Sequence, residues 1–154
     1  MFVHQKIAKQ FIAALVAQVE SLRSAIDYGP YIRKEARDEV KKRLDKAVKK
    51  GPKLVCGGEL INPNNATGFW LSPSVLEISD SALTLVREET FGNVLPIMIV
   101  KDEQEAILKA NDTKYGLSTA LFTKNLKRAS ELSYQLQTGM VFINDPFIAI
   151  PGWD

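Results

Sequence analysis

Val94-Leu95-Pro96-Ile97-Met98-Ile99-Val100 is the stretch whose reading decides the fold. It is an unbroken apolar run, the pattern of a strand buried on both faces. Arg87-Glu88-Glu89-Thr90-Phe91-Gly92 leads straight into it. Two adjacent carboxylates, an aromatic and a glycine therefore stand where a loop hands over to a buried strand, and in α/β proteins ligands gather at strand ends. Pro96 is a local conflict. It cannot donate to a strand ladder, so the sequence predicts that this strand lies at a sheet edge or carries a bulge.

Working toward the C-terminus, a helix is predicted over 102–111, a strand over 117–122, a helix over 125–138 and a strand over 140–144. Leu126, Ala129, Leu132 and Leu136 form the apolar stripe of the last helix, and Gly139 closes it. Strands and helices alternating at this length imply βαβ units. The expected fold class is α/β, a mostly parallel open sheet with flanking helices.

Toward the N-terminus, Met1 to His4 reads as a short strand. From Gln5 to Arg23 the residues Ile7, Phe11, Ile12, Leu15, Val16, Val19 and Leu22 recur at helical spacing. After the turn Asp27-Tyr28-Gly29-Pro30, a second helix over 34–50 buries a narrow stripe of Ala36, Val40, Leu44 and Ala47 or Val48, with Gly51 at its end. Lys53 to Cys56 is a short strand stopped by Gly57-Gly58. Asn62-Pro63-Asn64-Asn65 is turn chemistry, and Phe69 to Ile78 is extended but broken at Ser72-Pro73.

The 154 residues fit a single domain that buries about 68–70% of its unfolded surface. The net charge of +2 is spread along helices, with only Lys124, Lys127 and Arg128 clustered, which argues against a nucleic-acid partner. The apolar runs are too short to span a bilayer, and lysines and glutamines interrupt the N-terminal apolar positions at helical spacing, unlike a signal peptide. One cysteine, Cys56, excludes an intramolecular disulfide, and a cytoplasmic protein is expected. Cys56 ends a short strand with no His or helix start beside it to lower its pKa, so it reads as a structural thiol. His4, the lone histidine, reads as packing. No metal site is read.

Four motifs in order resemble the aldehyde dehydrogenase superfamily. They are Glu88, Glu89, Phe91 and Gly92; Ala110, Asn111, Tyr115, Gly116 and Leu117; Phe122-Thr123; and Gly139, Val141, Ile143 and Asn144. The likeness covers nearly the whole chain and places 1–154 in the second half of that family's catalytic domain, just past the nucleophilic cysteine. It implies that Glu89 binds the nicotinamide ribose hydroxyls, for which a carboxylate is suited because it can accept two hydrogen bonds from a diol. It implies that Phe91 packs against the nicotinamide ring, and that Asn144 and Phe147 line part of the aldehyde entrance. Asn111 and Tyr115 are read as structural.

The same resemblance implies what is missing. The family's cysteine, glutamate base, oxyanion asparagine and dinucleotide-binding domain precede this segment, so no catalytic residue is assigned here. The isolated chain is expected to oxidise no aldehyde and to hold NAD or NADP weakly if at all. In full, the implied enzyme takes an aldehyde to a carboxylate and is a homo-oligomer. Ile32 to Glu39 and Arg87 to Phe91 look most like succinate-semialdehyde dehydrogenases. Asn93 departs from the pattern, standing where the family has proline. The rival reading is a non-catalytic interaction or self-association module, with Phe147 to Trp153 as a sticky tail.

Overall fold

The computed structural model describes residues 1–63, 67–79 and 83–146. It divides into two compact units, Met1–Asp102 and Glu103–Asp154, and each is described by itself.

The first unit is built on a four-stranded sheet. Its strands are β1 (Phe2–His4), β2 (Lys53–Cys56), β5 (Ser74–Ile78) and β6 (Val94–Val100), in the spatial order β1-β6-β5-β2. β6 runs parallel to both β1 and β5, and β2 is antiparallel to β5. Two further strands, β3 (Leu60–Ile61) and β4 (Trp70–Leu71), form a small antiparallel ribbon. Helices α1 (Gln5–Glu20), α2 (Lys34–Val48) and the short α3 (Thr84–Arg87) complete the unit.

Both faces of the sheet are covered, which is why β5 and β6 carry no polar alternation. Val75 and Ile97 join Val3, Ala8 and Cys56 in one cluster, against which Phe11, Ile12, Leu15, Val16 and Val19 of α1 pack. Leu76, Ile78 and Met98 point the other way, onto Leu44 and Ala47 of α2 and Leu83 and Leu85 at α3. In α2, Val40, Leu44 and Ala47 are buried as expected and Ala36 is only half-buried, whereas Ile7 of α1 is turned outward, 54% exposed. Gly57 ends β2 with φ +69, and a Cβ there would lie 1.7 Å from the Pro73 carbonyl oxygen. No other residue fits that position.

Pro96 does not put β6 at an edge or on a bulge. β6 lies inside the sheet, with Pro96 in unbroken register opposite Leu76. The reason is the side its backbone faces. The Asn93 carbonyl accepts from Ser74 N of β5, while Met98 N donates to the Met1 carbonyl on the β1 side. Strand alternation then turns Pro96 toward β1, and its carbonyl accepts from the Met1 amino group at 2.9 Å. The first ladder partner on that side is Phe2 opposite Met98, so the missing N–H falls ahead of the β1 ladder.

The second unit contains α4 (Glu103–Asn111), β7 (Ser118–Leu121), α5 (Leu126–Ser133) and β8 (Met140–Ile143). β7 and β8 pair in parallel as a two-stranded sheet of their own, joined through α5, a βαβ unit as expected. Asn125 caps α5, accepting from Arg128 N at 3.0 Å. α5 is shorter than the predicted 125–138. Its end tightens as Gln135 N and Leu136 N bond three residues back, to Leu132 and Ser133. Arg128 is not simply solvated: it pairs with Glu103 of α4 and with Glu131, which hold its pKa above the usual guanidinium value. Asn111 has the structural role expected of it. Its amide donates to the Gln135 carbonyl at 2.8 Å and accepts from Gln137 N at 2.9 Å, latching the segment after α5.

Candidate functional site

The turn from Glu88 to Asn93 links α3 to the start of β6. Glu88 N closes α3 on the Thr84 carbonyl at 3.0 Å. Thr90 Oγ1 donates back to the Leu85 carbonyl at 3.2 Å. Between them the Glu89 carbonyl accepts from Arg43 Nη1 of α2 at 2.8 Å. Arg43 is itself steadied by Glu39, one helical turn earlier, through Nε to Oε1 at 2.9 Å.

Phe91 follows, and it is 88% exposed. It is not a core residue. Glu89 is exposed as well. A carboxylate and an aromatic face thus stand two residues apart on one backbone-anchored turn at the mouth of the central strand.

Two residues fix the far end of the turn. The Tyr31 hydroxyl donates to Asn93 Oδ1 at 2.6 Å and accepts from Asn93 N at 3.2 Å. Asn93 Nδ2 donates to the Leu71 carbonyl at 2.7 Å, and the Asn93 carbonyl accepts from Ser74 N at 2.9 Å. Tyr31 is pinned in turn by its own N–H on the Phe69 carbonyl, 2.8 Å away. Burial pushes the Tyr31 hydroxyl pKa up, opposed by the Asn93 N–H. Gly92 sits beneath this contact, where a Cβ would lie 2.4 Å from Tyr31 Oη and 3.0 Å from both Val40 methyls. Arg43, Tyr31 and Asn93 were not singled out as site residues by sequence reasoning. The one signal for them was Asn93 in place of proline.

Asn144, predicted at the aldehyde entrance, ends β8 with φ +58. Both ends of its amide are engaged by the Thr123 backbone, accepting from Thr123 N at 2.8 Å and donating to the Thr123 carbonyl at 2.9 Å. Phe147 and the tail after it lie outside the described residues.

Cys56 is buried beside Val75, and burial raises its thiol pKa, the opposite of what a nucleophile needs. His4 caps α1, its Nδ1 accepting from Lys6 N at 3.2 Å. Among the described residues no group of His, Cys, Asp and Glu could hold a metal ion, and no helix is long and apolar enough to cross a membrane. A groove of about 150 Å³ lies between α2 and α3, lined by Arg43, Lys46 and Leu83 among others.

Comparison with known proteins bears on the family and the fold. The profile of the aldehyde dehydrogenase family matches residues 1–151. The 3,6-anhydro-alpha-L-galactose dehydrogenase of Vibrio sp. (strain EJY3) is 30% identical over 151 residues, covering 94% of this chain and 32% of that protein. The solved structure of Gox0499 superposes with a TM-score of 0.91 at 32% identity, covering 98% of this chain and 34% of that one. Betaine aldehyde dehydrogenase from Staphylococcus aureus, solved in complex with NAD+, gives a TM-score of 0.88 at 32% identity over 96% of this chain and 31% of that chain. The chain thus spans about a third of the length of the relatives it matches.

Proposed function

The chain belongs to the aldehyde dehydrogenase family, and we propose that it supplies the nicotinamide-facing turn of an NAD(P)-dependent oxidoreductase that converts an aldehyde to a carboxylate. The observation that carries this reading is Phe91, 88% exposed on a turn whose backbone is tied down on both sides. An exposed large aromatic is costly to keep in water unless a ligand or partner covers it.

The residues fit the cofactor. Glu89 would accept hydrogen bonds from the ribose diol, and the Phe91 ring would cover the nicotinamide face and exclude water from it. When bound, the dinucleotide supplies the hydride acceptor. Nucleophile and base belong to parts of the family's catalytic domain that do not map onto these residues, so the isolated chain is proposed to be inactive. For Asn144 the proposed contribution to the aldehyde entrance is to place the residues that follow it, since its amide is occupied by Thr123. Phe147 keeps its proposed place at that entrance through the resemblance alone. Succinate semialdehyde as substrate, a homo-oligomeric assembly and a cytoplasmic location belong to the same proposal.

The test is a titration of the isotopically labelled chain with NAD+. Shifts confined to Glu89, Phe91 and their neighbours support the reading, and their absence at millimolar NAD+ counts against it.

One observation favours a second reading, a non-catalytic interaction module. In the second unit Leu117 is 78% exposed and Tyr134 is 89% exposed, and Phe122 and Leu126 are also open to solvent. Apolar surface of this kind marks interaction sites. Concentration-dependent self-association without any response to NAD+ would favour the module.

A further inference from the structure

We propose that Tyr31 and Asn93 are positioning residues, a polar clamp that holds Glu89 and Phe91 in the presentation the cofactor needs. This inference rests on the cofactor reading above.

The physical need is visible in the turn. Phe91 buries almost none of its surface, so packing cannot hold it in place. The backbone entropy lost in ordering residues 89–92 must be offset by polar anchors. Arg43 and Thr90 anchor the near end. At the far end every hydrogen-bonding group of Asn93 is engaged: its N–H and Oδ1 by the Tyr31 hydroxyl, its Nδ2 by the Leu71 carbonyl, its own carbonyl by Ser74 N. A proline here could make only the last of these. Tyr31 lies 62 residues away in sequence and reaches the turn because its backbone is bridged to Phe69. Its hydroxyl fills the space where a side chain on residue 92 would begin. The clamp therefore both fixes the strand end and shapes the turn that carries Phe91.

The experiment compares Tyr31→Phe, Asn93→Ala and the double variant with the wild-type 154-residue chain, by amide hydrogen exchange and by titration with NAD+. Tyr31→Phe removes one hydroxyl and leaves the ring and the Phe69 bridge. Exchange at Asn93 and through 89–92 should quicken about thirtyfold, the effect of two lost hydrogen bonds at about 1 kcal/mol each, while the β6 amides keep their protection. NAD+-induced shifts at Glu89 and Phe91 should weaken by a similar factor. The two substitutions should be non-additive, since both remove the hydrogen bond from the Tyr31 hydroxyl to Asn93 Oδ1. Unchanged exchange across the turn would overturn the proposal. Equal loss of protection in β6 would overturn it too, by showing a general structural role. So would a loosened turn that still takes NAD+ as well as wild type. A wild-type chain with no NAD+ shifts would refute the cofactor reading alone, and the exchange comparison would still decide whether the clamp holds the turn.

Discussion

Gly92→Ala is the sharpest test of how the turn is built, because backbone and side-chain arguments predict opposite signs. Gly92 is not among the glycines with positive φ. Judged by backbone alone, alanine should therefore stabilise the chain by about 0.4–1 kcal/mol through the unfolded state. The surroundings say otherwise. The new Cβ would sit 2.4 Å from Tyr31 Oη and 3.0 Å from both methyls of Val40. Val40 is 5% exposed and cannot withdraw, so Tyr31 must move. Moving it breaks two hydrogen bonds to Asn93, about 1 kcal/mol each. Crowding against Val40 adds roughly 1 kcal/mol or more. Set against the backbone gain, the expected loss is about 2 kcal/mol. In a urea titration followed by circular dichroism this lowers the midpoint by about 1 M, for a slope of about 2 kcal/mol/M. Adding Tyr31→Phe should cost little further, because the hydroxyl's two hydrogen bonds are already lost. A Gly92→Ala chain as stable as wild type, or more so, would refute the close packing of Tyr31 over the turn.

Other expectations follow from the same structure. Leu44→Ala, at 1% exposure between the sheet and α2, should cost about 3–5 kcal/mol in the same titration. Phe91→Ala should change stability by less than about 0.5 kcal/mol yet abolish NAD+-induced shifts at Glu89, since an exposed ring contributes little to the fold. Native Cys56 should react with iodoacetamide at pH 8 at least about tenfold more slowly than the urea-unfolded chain, because burial both raises its pKa and shields it. Tyr31 holds its proton more tightly folded than unfolded, so its contribution is intact below the unfolded value of about 10 and is lost as pH climbs through the raised folded value. The urea midpoint should fall as pH rises above about 10, and Tyr31→Phe should flatten that fall.

Periodicity made the two-faced sheet legible. Val75 and Leu76 point to opposite layers and both are buried, so apolar runs rather than alternation marked β5 and β6. Pro96 misled because a missing donor costs something only where a partner awaits it, and the side a strand residue faces is set by pairing, not by composition. The apolar stripe of α5 overshot for a related reason: Leu136 continues the pattern, but the backbone has already tightened at Ser133. Glu89 and Phe91 could be named only through a motif, as charge and aromaticity in a loop have many uses. The clamp that fixes them was out of reach, because Tyr31 and Asn93 meet only through tertiary structure and neither belongs to a local pattern.

The proline in β6 also selects the docking position of β1. Sliding β1 by two residues toward the N-terminal end of β6 would leave Val3 facing the core, so hydrophobic patterning cannot tell that alignment from the native one. The ladder can. In the native alignment Met98 N donates to the Met1 carbonyl. In the slipped one that donor would have to come from Pro96, which has none. One absent hydrogen bond disfavours the wrong alignment by about 1 kcal/mol, or fivefold. A residue that at first sight weakens the strand is the one that tells a three-residue neighbour where to stop.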